Sequence, residues 1–410
     1  MNRCTNNTGI DQAQIAARNF NNTEAKYAGT GIYAENSHGS SYSIVCCVEN
    51  TVHRPQFSFY TSSEYWHELI RRIDQAGAGD RIGLMTMEFD PRYPVIHTLM
   101  NAVQAATKRG VIVQLLVDAA TFLRDTRSFR PGPLWYPTGF KRIPGDFVEK
   151  YEMLQRLAQT PNIDVALTNR PTRPFSNMVG GRSHMKISLI NDRIFIGGCN
   201  LAGDSYDLMV SWEDRVTANY LHGFMRDVHA IKNVSHALKN DDLAISVSKT
   251  ATLMLDCGAR NRSGILTNAL RLIDNAREQI TITCQFFPNS VTAKHLAAAY
   301  RRGVEVTIVY AGPDYQRGLI GGLGQRISII RERLRVPPEF FALRMPKDGL
   351  LLHAKLLATD AGTIIGSHNY VRAGVLLGTA EIALMETTPE FRQDALAALT
   401  RELSAVEFER

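Results

Sequence analysis

The 410-residue sequence predicts a mixed α/β protein of two fused, pseudo-twofold-related repeats, each a mixed β-sheet flanked by helices. Three observations predict it. Strand-like and helix-like runs alternate in the same order in both halves, and strand-helix-strand units build parallel or mixed sheets. Lys108-Arg109-Gly110-Val111 returns as Arg301-Arg302-Gly303-Val304. Ser183-His184-Met185-Lys186 returns as Leu352-His353-Ala354-Lys355, 169 positions later (353 − 184).

Residues 1–60 are rich in Asn, Ser, Thr and Gly and show little periodicity, which predicts a partly ordered polar lead-in with one short strand over Tyr42 to Val48. The first repeat is expected over 61–240. Ser63 is placed to cap a helix with Tyr65, Leu69, Ile70 and Ile73 on its apolar face. A strand over Arg81 to Met87, a helix over Val95 to Lys108 and a buried strand over Val111 to Val117 follow. The second repeat is expected over 241–410. Its helix starts at Asn261 or Ser263, and then come a strand over Gln279 to Cys284, a helix over Thr292 to Arg301 and a strand over Val304 to Val309.

The offset between halves is 193 at the Arg-Gly-Val landmark (301 − 108) but 169 at the histidines, so the first half has a connector 24 residues longer. That connector mixes Arg124, Arg127, Arg130, Lys141 and Arg142 with Phe129, Trp135, Tyr136 and Phe140. Rings beside cations suit a lipid–water interface, or stacking on single-stranded nucleic acid, or simply a loop that packs its own aromatics. The window 315–347 places Ile327, Ile329, Ile330, Leu334 and Val336 among arginines, as a basic amphipathic helix or an ordinary surface helix would.

Hydrophobic content of 44% with 21% charged residues describes a globular chain. No apolar run approaches the roughly 18 residues of a membrane span, and Met1-Asn2-Arg3-Cys4 lacks the order of a secretory signal, so a cytoplasmic location is expected. Six scattered cysteines without a C-x-x-C pair predict free thiols and no structural zinc. The net charge of +6 is unevenly spread. Residues 101–190 hold 13 Lys/Arg against 6 Asp/Glu, and residues 315–347 hold 7 against 2. Both windows precede a His-x-Lys motif, where a basic field would attract a phosphate-bearing polyanion, either a phospholipid surface or a nucleic acid.

Each His-x-Lys runs into a strand, a turn, a strand and a Gly-small-x-Asn corner, Gly197-Gly198-Cys199-Asn200 and Gly366-Ser367-His368-Asn369. His to Asn is 16 residues in both (200 − 184 and 369 − 353). Alternation along a strand puts His and Lys on one face. Two such strands meeting at a pseudo-twofold axis would surround one phosphodiester with two imidazoles and two ammonium groups. Cleaving a phosphodiester needs its charge neutralised and its leaving oxygen protonated.

On these residues the chain resembles the phospholipase D superfamily, whose H-x-K-x4-D motif occurs twice per active site. Asp360 completes the second copy; Asn191 stands in place of the first Asp, with Asp192 one residue late. Because that position falls in a turn, the Asp is expected to stabilise the turn, and Asn-Asp is itself a turn pair. The resemblance implies a two-step reaction through a phosphohistidine, without metal or cofactor. His184 would be the nucleophile and His353 the general acid/base, although the residue types alone leave the roles interchangeable. Lys186, Lys355, Asn200 and Asn369 would hold the non-bridging oxygens.

The resemblance also implies a carboxylate that orients each imidazole. In the second half Glu381 fits, 28 residues after His353 (381 − 353). The same spacing in the first half reaches Trp212, so Glu213 is expected to serve there, with Asp214 next to it. Gln285-Phe286-Phe287-Pro288 resembles the aromatic stretch of phospholipid-processing members, which makes Phe286 and Phe287, with Trp135, candidate substrate contacts. His368 is not expected to be catalytic, because its counterpart is Cys199. The expected function is a cardiolipin synthase-like phosphatidyltransferase or phospholipase D, peripheral to a phospholipid bilayer. A metal-independent nuclease and a non-catalytic lipid- or nucleic-acid-binding scaffold are the alternatives.

Overall fold

The computed structural model describes residues 42–45, 55–123, 125, 131–135, 143–171, 180–203, 205–312, 319–345, 350–404, 406 and 408. All of them fall in one compact unit, Tyr33–Arg410.

After β1 (Tyr42–Val45) and β2 (Ser58–Thr61), helix α1 (Ser62–Gln75) begins where its own sequence supplies a capping box. The Thr61 hydroxyl accepts from Glu64 N, and the Glu64 carboxylate accepts from Thr61 N at 2.9 Å. Ser63, the expected cap, therefore lies inside the first turn. Tyr65, Trp66, Leu69 and Ile73 form the buried stripe. The first half continues through β3 (Arg81–Thr86), α2 (Pro94–Lys108), β4 (Ile112–Asp118), α3 (Gly145–Ala158), β5 (Ile163–Thr168), β6 (Ile187–Ile190), β7 (Arg193–Gly197), β8 (Ser205–Tyr206), β9 (Leu208–Glu213), α4 (Arg215–Ile231) and α5 (Val234–Ala237).

The second half runs β10 (Asp242–Ser246), β11 (Ala251–Asp256), α6 (Gly264–Asn275), β12 (Gln279–Cys284), α7 (Val291–Arg301), β13 (Glu305–Ala311), α8 (Leu319–Arg333), β14 (Leu343–Met345), β15 (Leu351–Leu352), β16 (Leu356–Thr359), β17 (Gly362–Gly366), α9 (Arg372–Leu377), β18 (Glu381–Glu386) and α10 (Pro389–Leu403). Ser263 is the cap of α6, its hydroxyl accepting from Leu266 N.

The duplication is a property of the topology. The first sheet has the order β2-β9-β7-β6-β3-β4-β5, and the second contains β11-β18-β17-β16-β12-β13-β14, matching strand for strand, with β10 and β1 added at its edge. In both, the strand after His-x-Lys lies antiparallel to the first strand of a parallel trio. The short strand expected in the polar lead-in is β1, parallel to β10, so it extends the sheet of the distant repeat.

One face of each sheet is covered by its own helices. Leu69, Ile96 and Leu99 lie in one outer cluster, and Ile265, Ala269 and Leu296 in another. The other faces share a central core in which Met185, Ile187 and Ile196 join Leu352, Leu356 and Ile382, together with Leu221 of α4 and Phe391 of α10. Helix α10 packs on β2 and β9 of the first sheet as well as on β16 and β17. Neither half completes its inner face alone. Among the described residues no helix is long and apolar enough to cross a membrane.

The turns after the two His-x-Lys strands are held by the residues that end the motifs. The Asp360 carboxylate accepts from the backbone amides of Arg277, Glu278 and Gln279 at 2.9–3.2 Å, fixing the entry to β12. Asn191, at φ 51°, does the corresponding work at β3: its Oδ1 accepts from Arg81 N at 3.0 Å and its Nδ2 donates to Asp80. Partial burial alone would raise the Asp360 carboxyl, but the amides outweigh it and hold it below 3.8. This contribution to stability is present above pH 3.8 and lost as the pH falls through the depressed folded value. Asp360→Ala should therefore cost about 0.5–2 kcal/mol in urea unfolding at neutral pH, with the difference from wild type shrinking in acid.

Candidate active site

The two His-x-Lys segments meet where the repeats exchange short strand pairs. Leu351 and Leu352 pair with Ser205 and Tyr206, and Ser183 bridges to Ala380. The backbone amide of His184 donates to Ala380 O at 2.8 Å, and that of His353 donates to Tyr206 O at 2.8 Å. Tyr206 and Ala380 are thus counterparts, and so are the residues that follow them, Asp207 and Glu381.

Those two carboxylates orient the imidazoles, each across the repeat boundary. His184 Nδ1 lies 3.0 Å from Glu381 Oε2, and His353 Nδ1 lies 2.7 Å from Asp207 Oδ2. With each Nδ1 engaged, Nε2 remains for chemistry. The rings stand 6.0 Å apart between centroids at 73°.

The expectation for the first half is corrected here. Glu213 is 61% exposed along its side chain and pairs with Arg193 at 3.0 Å. Asp214 caps α4 by accepting from Val216 N and Thr217 N. Neither is bonded to a histidine. The spacing failed because the second half inserts α9 between corner and carboxylate: histidine to carboxylate is 28 residues there (381 − 353) but 23 in the first half (207 − 184). Aligning the first residue of the closing strand β18, Glu381, with the residue leading into β9 would have found Asp207.

Corner glycines make this close approach possible. A Cβ on Gly197 would collide with Leu208 O and one on Gly366 with Ile382 O. At the next position the halves diverge. A Cβ on Gly198 would run into the Asp207 carboxylate, whereas its counterpart Ser367 donates a short hydrogen bond to Glu381 Oε2.

Lys186 and Lys355 are buried and donate to the carbonyl oxygens of His184 and His353. Burial, then the neighbouring Lys355 charge, lowers Lys186 to about 7; burial lowers Lys355 to about 8, although Asp207 and Glu381 oppose it. Burial and both ammonium groups push His184 well below 6.5. His353 is lowered by burial and Lys355, with Asp207 working in the other direction. Burial favours the neutral form of both acids. At Asp207 the His353 interaction outweighs it and the carboxyl is held below its ordinary value; at Glu381 burial prevails and the carboxyl is raised.

Asn200 and Asn369 sit at the corners, and the Asn200 Oδ1 accepts from Glu88 N at 3.4 Å. The Asn369 Oδ1 is buried with no hydrogen-bond partner. Phe287 is a core residue, stacked on Phe341 at 4.3 Å, so it does not serve as the expected open contact. Phe286 is half-buried. The side chain of Trp135 and the other aromatic and basic residues of the long connector named above, Arg124, Arg127, Phe129, Arg130, Tyr136, Phe140, Lys141 and Arg142, lie outside the described residues.

Sequence reasoning also missed three supports. The buried Asp118 accepts from Ser183 N at 2.7 Å and from Arg182 and Asn169, fixing the approach to His184. Glu402 of α10 accepts from Asp207 N at 2.8 Å. Glu88 follows β3 where Phe286 follows β12, and its charge acts on both His184 and Lys186. Among the described residues no group of three or more His, Cys, Asp and Glu is placed to hold a metal ion.

The sequence model described as cardiolipin synthase, PLD-like domain, matches residues 69–226 and 269–402. No curated protein sequence matches the chain. A phosphatidylserine synthase from Haemophilus influenzae has a similar structure, with a TM-score of 0.63 at 13% identity over 86% of this chain and 87% of that one. A polyphosphate kinase from Porphyromonas gingivalis aligns with a TM-score of 0.48 at 14% identity, over 85% of this chain and 47% of that one. The phospholipase D family member Nuc from Salmonella typhimurium aligns with a TM-score of 0.29 at 19% identity, over 39% of this chain and 99% of that one.

Asp207→Asn should lower the imidazole pKa of His353, measured by NMR titration, because the charge that raises it is removed. Glu213→Gln should leave that titration unchanged.

Proposed function

Because the chain belongs to the cardiolipin synthase, PLD-like domain family, we propose that it is a phosphatidyltransferase or phospholipase D that cleaves a phospholipid phosphodiester through a phosphohistidine, peripheral to a membrane. The observation that carries the reaction type is the crossed pair of imidazole–carboxylate contacts, which leaves two Nε2 atoms beside two buried lysines in one site. The family description supports the lipid substrate.

His184 Nε2 attacks phosphorus, the bond from phosphorus to the leaving oxygen breaks, and the protonated His353 gives its proton to that oxygen. The neutral His353 then takes a proton from an acceptor alcohol or water, whose oxygen attacks phosphorus. The phosphorus–nitrogen bond breaks and His184 is restored. The order of roles is supported by the charges. His184 is held strongly neutral beside a carboxyl that burial raises, whereas His353 faces an Asp207 held in its anionic form. Lys186, Lys355 and the Nδ2 groups of the two corner asparagines hold the non-bridging oxygens.

His184→Ala and His353→Ala should each lower turnover of labelled phosphatidylglycerol vesicles by on the order of a thousandfold. Quenching the wild type in alkaline detergent, where the acid-labile phosphorus–nitrogen bond survives, should trap a labelled phosphatidyl group on His184. The basic windows that run up to the two His-x-Lys motifs in the sequence favour a second reading, a nucleic-acid phosphodiester. Single-stranded DNA in a parallel assay, each with and without EDTA, separates the two, and turnover of DNA alone would sink the lipid reading. Inorganic phosphate should bind more weakly as the pH rises through about 7 and about 8, because Lys186 and Lys355 lose their protons there. Calorimetry in buffers of different ionisation enthalpy should register proton uptake on binding.

A further inference from the structure

The basic window 315–347 has a structural answer that the site does not absorb. Helix α8 and the turn after it present two opposed faces. Gln325, Ile329, Glu332 and Val336 are buried, and Gln325 Nε2 donates to Ala311 O at 3.1 Å. On the other side Ile327 is 57% exposed, Ile330 63% and Leu334 86%, the three largest exposures among the large hydrophobic residues described. At about 100° per residue these three fall within roughly 60° of arc, opposite the buried set. Exposed Arg331 borders the stripe on one flank, and exposed Arg326 and Arg333 on the other, with exposed Arg335 just beyond the helix. The acidic residue within this run, Glu332, is turned inward, where its carboxylate accepts from Ser290 N at 3.2 Å and from the Arg331 guanidinium at 3.0 Å. The outward face therefore carries aliphatic side chains framed by positive charge.

Its place in the fold is next to the site. The Ser328 hydroxyl is 3.0 Å from Asn289 Nδ2, and Ser290 is held by Glu332, so α8 is pinned to the loop that leaves β12. That loop begins at Cys284, beside Thr283, whose hydroxyl donates to Ala354 O between His353 and Lys355. Helix α8 thus lies one loop from the second His-x-Lys segment.

We propose that Ile327, Ile330 and Leu334, with Arg326, Arg331, Arg333 and Arg335, form the surface that docks this protein on an anionic phospholipid bilayer. Aliphatic side chains enter the acyl boundary while arginines pair with headgroup phosphates, as in helices that lie in the plane of a membrane interface. Charge complementarity selects an anionic bilayer over a neutral one. The absence of aromatic rings from this stripe disfavours single-stranded nucleic acid, whose sequence-tolerant binding relies on base stacking. This deepens the lipid reading above and rests on it for the choice of occupant.

The test is sedimentation of the full chain with phosphatidylcholine vesicles with and without phosphatidylglycerol, for wild type, the triple variant Ile327→Ser/Ile330→Ser/Leu334→Ser, and Arg331→Gln/Arg333→Gln/Arg335→Gln. Wild type should partition onto phosphatidylglycerol vesicles with a salt-sensitive affinity. The serine variant should lose at least about tenfold in partitioning, and the glutamine variant should lose the preference for anionic over neutral vesicles. Turnover of a short-chain phospholipid below its micellar concentration should be unchanged in both variants. This separates failure of docking from failure of the catalytic reading, since vesicle binding does not require turnover. Vesicle binding by the serine variant equal to wild type, retention of single-stranded DNA in place of vesicles, or conversion of a wild-type dimer to a monomer by the serine changes would each overturn the proposal.

Discussion

The crossed hydrogen bonds between imidazole and carboxylate are the constraint on which the rest of the arrangement depends. Each histidine is delivered by one repeat and oriented by the other, at 3.0 Å for His184 with Glu381 and 2.7 Å for His353 with Asp207. A single repeat would hold a histidine without its carboxylate. The shared core between the sheets and the exchanged pairing of Leu351–Leu352 with Ser205–Tyr206 keep these contacts in register. Burial gives the arrangement its electrostatic character: both ammonium groups are lowered by removal from water, Lys186 further by Lys355, and both lower the two histidines, so an anion in the site would be favoured.

The fold was largely legible in the sequence because its signals are local. Short apolar runs mark β3, β4, β12 and β13, Arg-Gly-Val marks two helix ends, and the repeated His-x-Lys marks two strand entries. The site was legible wherever both halves keep one length, hence the histidines, lysines and corner asparagines at matched spacing. It ceased to be legible where a length changed. Helix α9 displaces Glu381 relative to Asp207 by five positions (28 − 23), and spacing carried from one half to the other therefore pointed at a surface carboxylate. Tertiary partners such as Asp118 and Glu402 have no sequence signal, since their bonds to Ser183 and Asp207 join segments 65 and 195 residues apart. Phe287 misled for a related reason: an aromatic residue beside a site strand can serve the core, and Phe341, which stacks on it, comes from a distant turn.

The duplication keeps geometry and varies chemistry. Glycine at 198 with aspartate at 207 and serine at 367 with glutamate at 381 solve the same spatial problem in two ways. The Gly-Asp half gives an acid that His353 holds below its ordinary value, while the Ser-Glu half gives one that burial raises. In the proposed two-step reaction one imidazole attacks and the other carries a proton. Inequivalent carboxylates supply that difference without moving either histidine. The same divergence extends one layer outward: Glu88 stands two residues beyond β3 in the first half and Phe286 two residues beyond β12 in the second. The phosphodiester of the proposed reaction carries two different groups on phosphorus, and the inequivalent carboxylates give the two histidines that face it a corresponding difference.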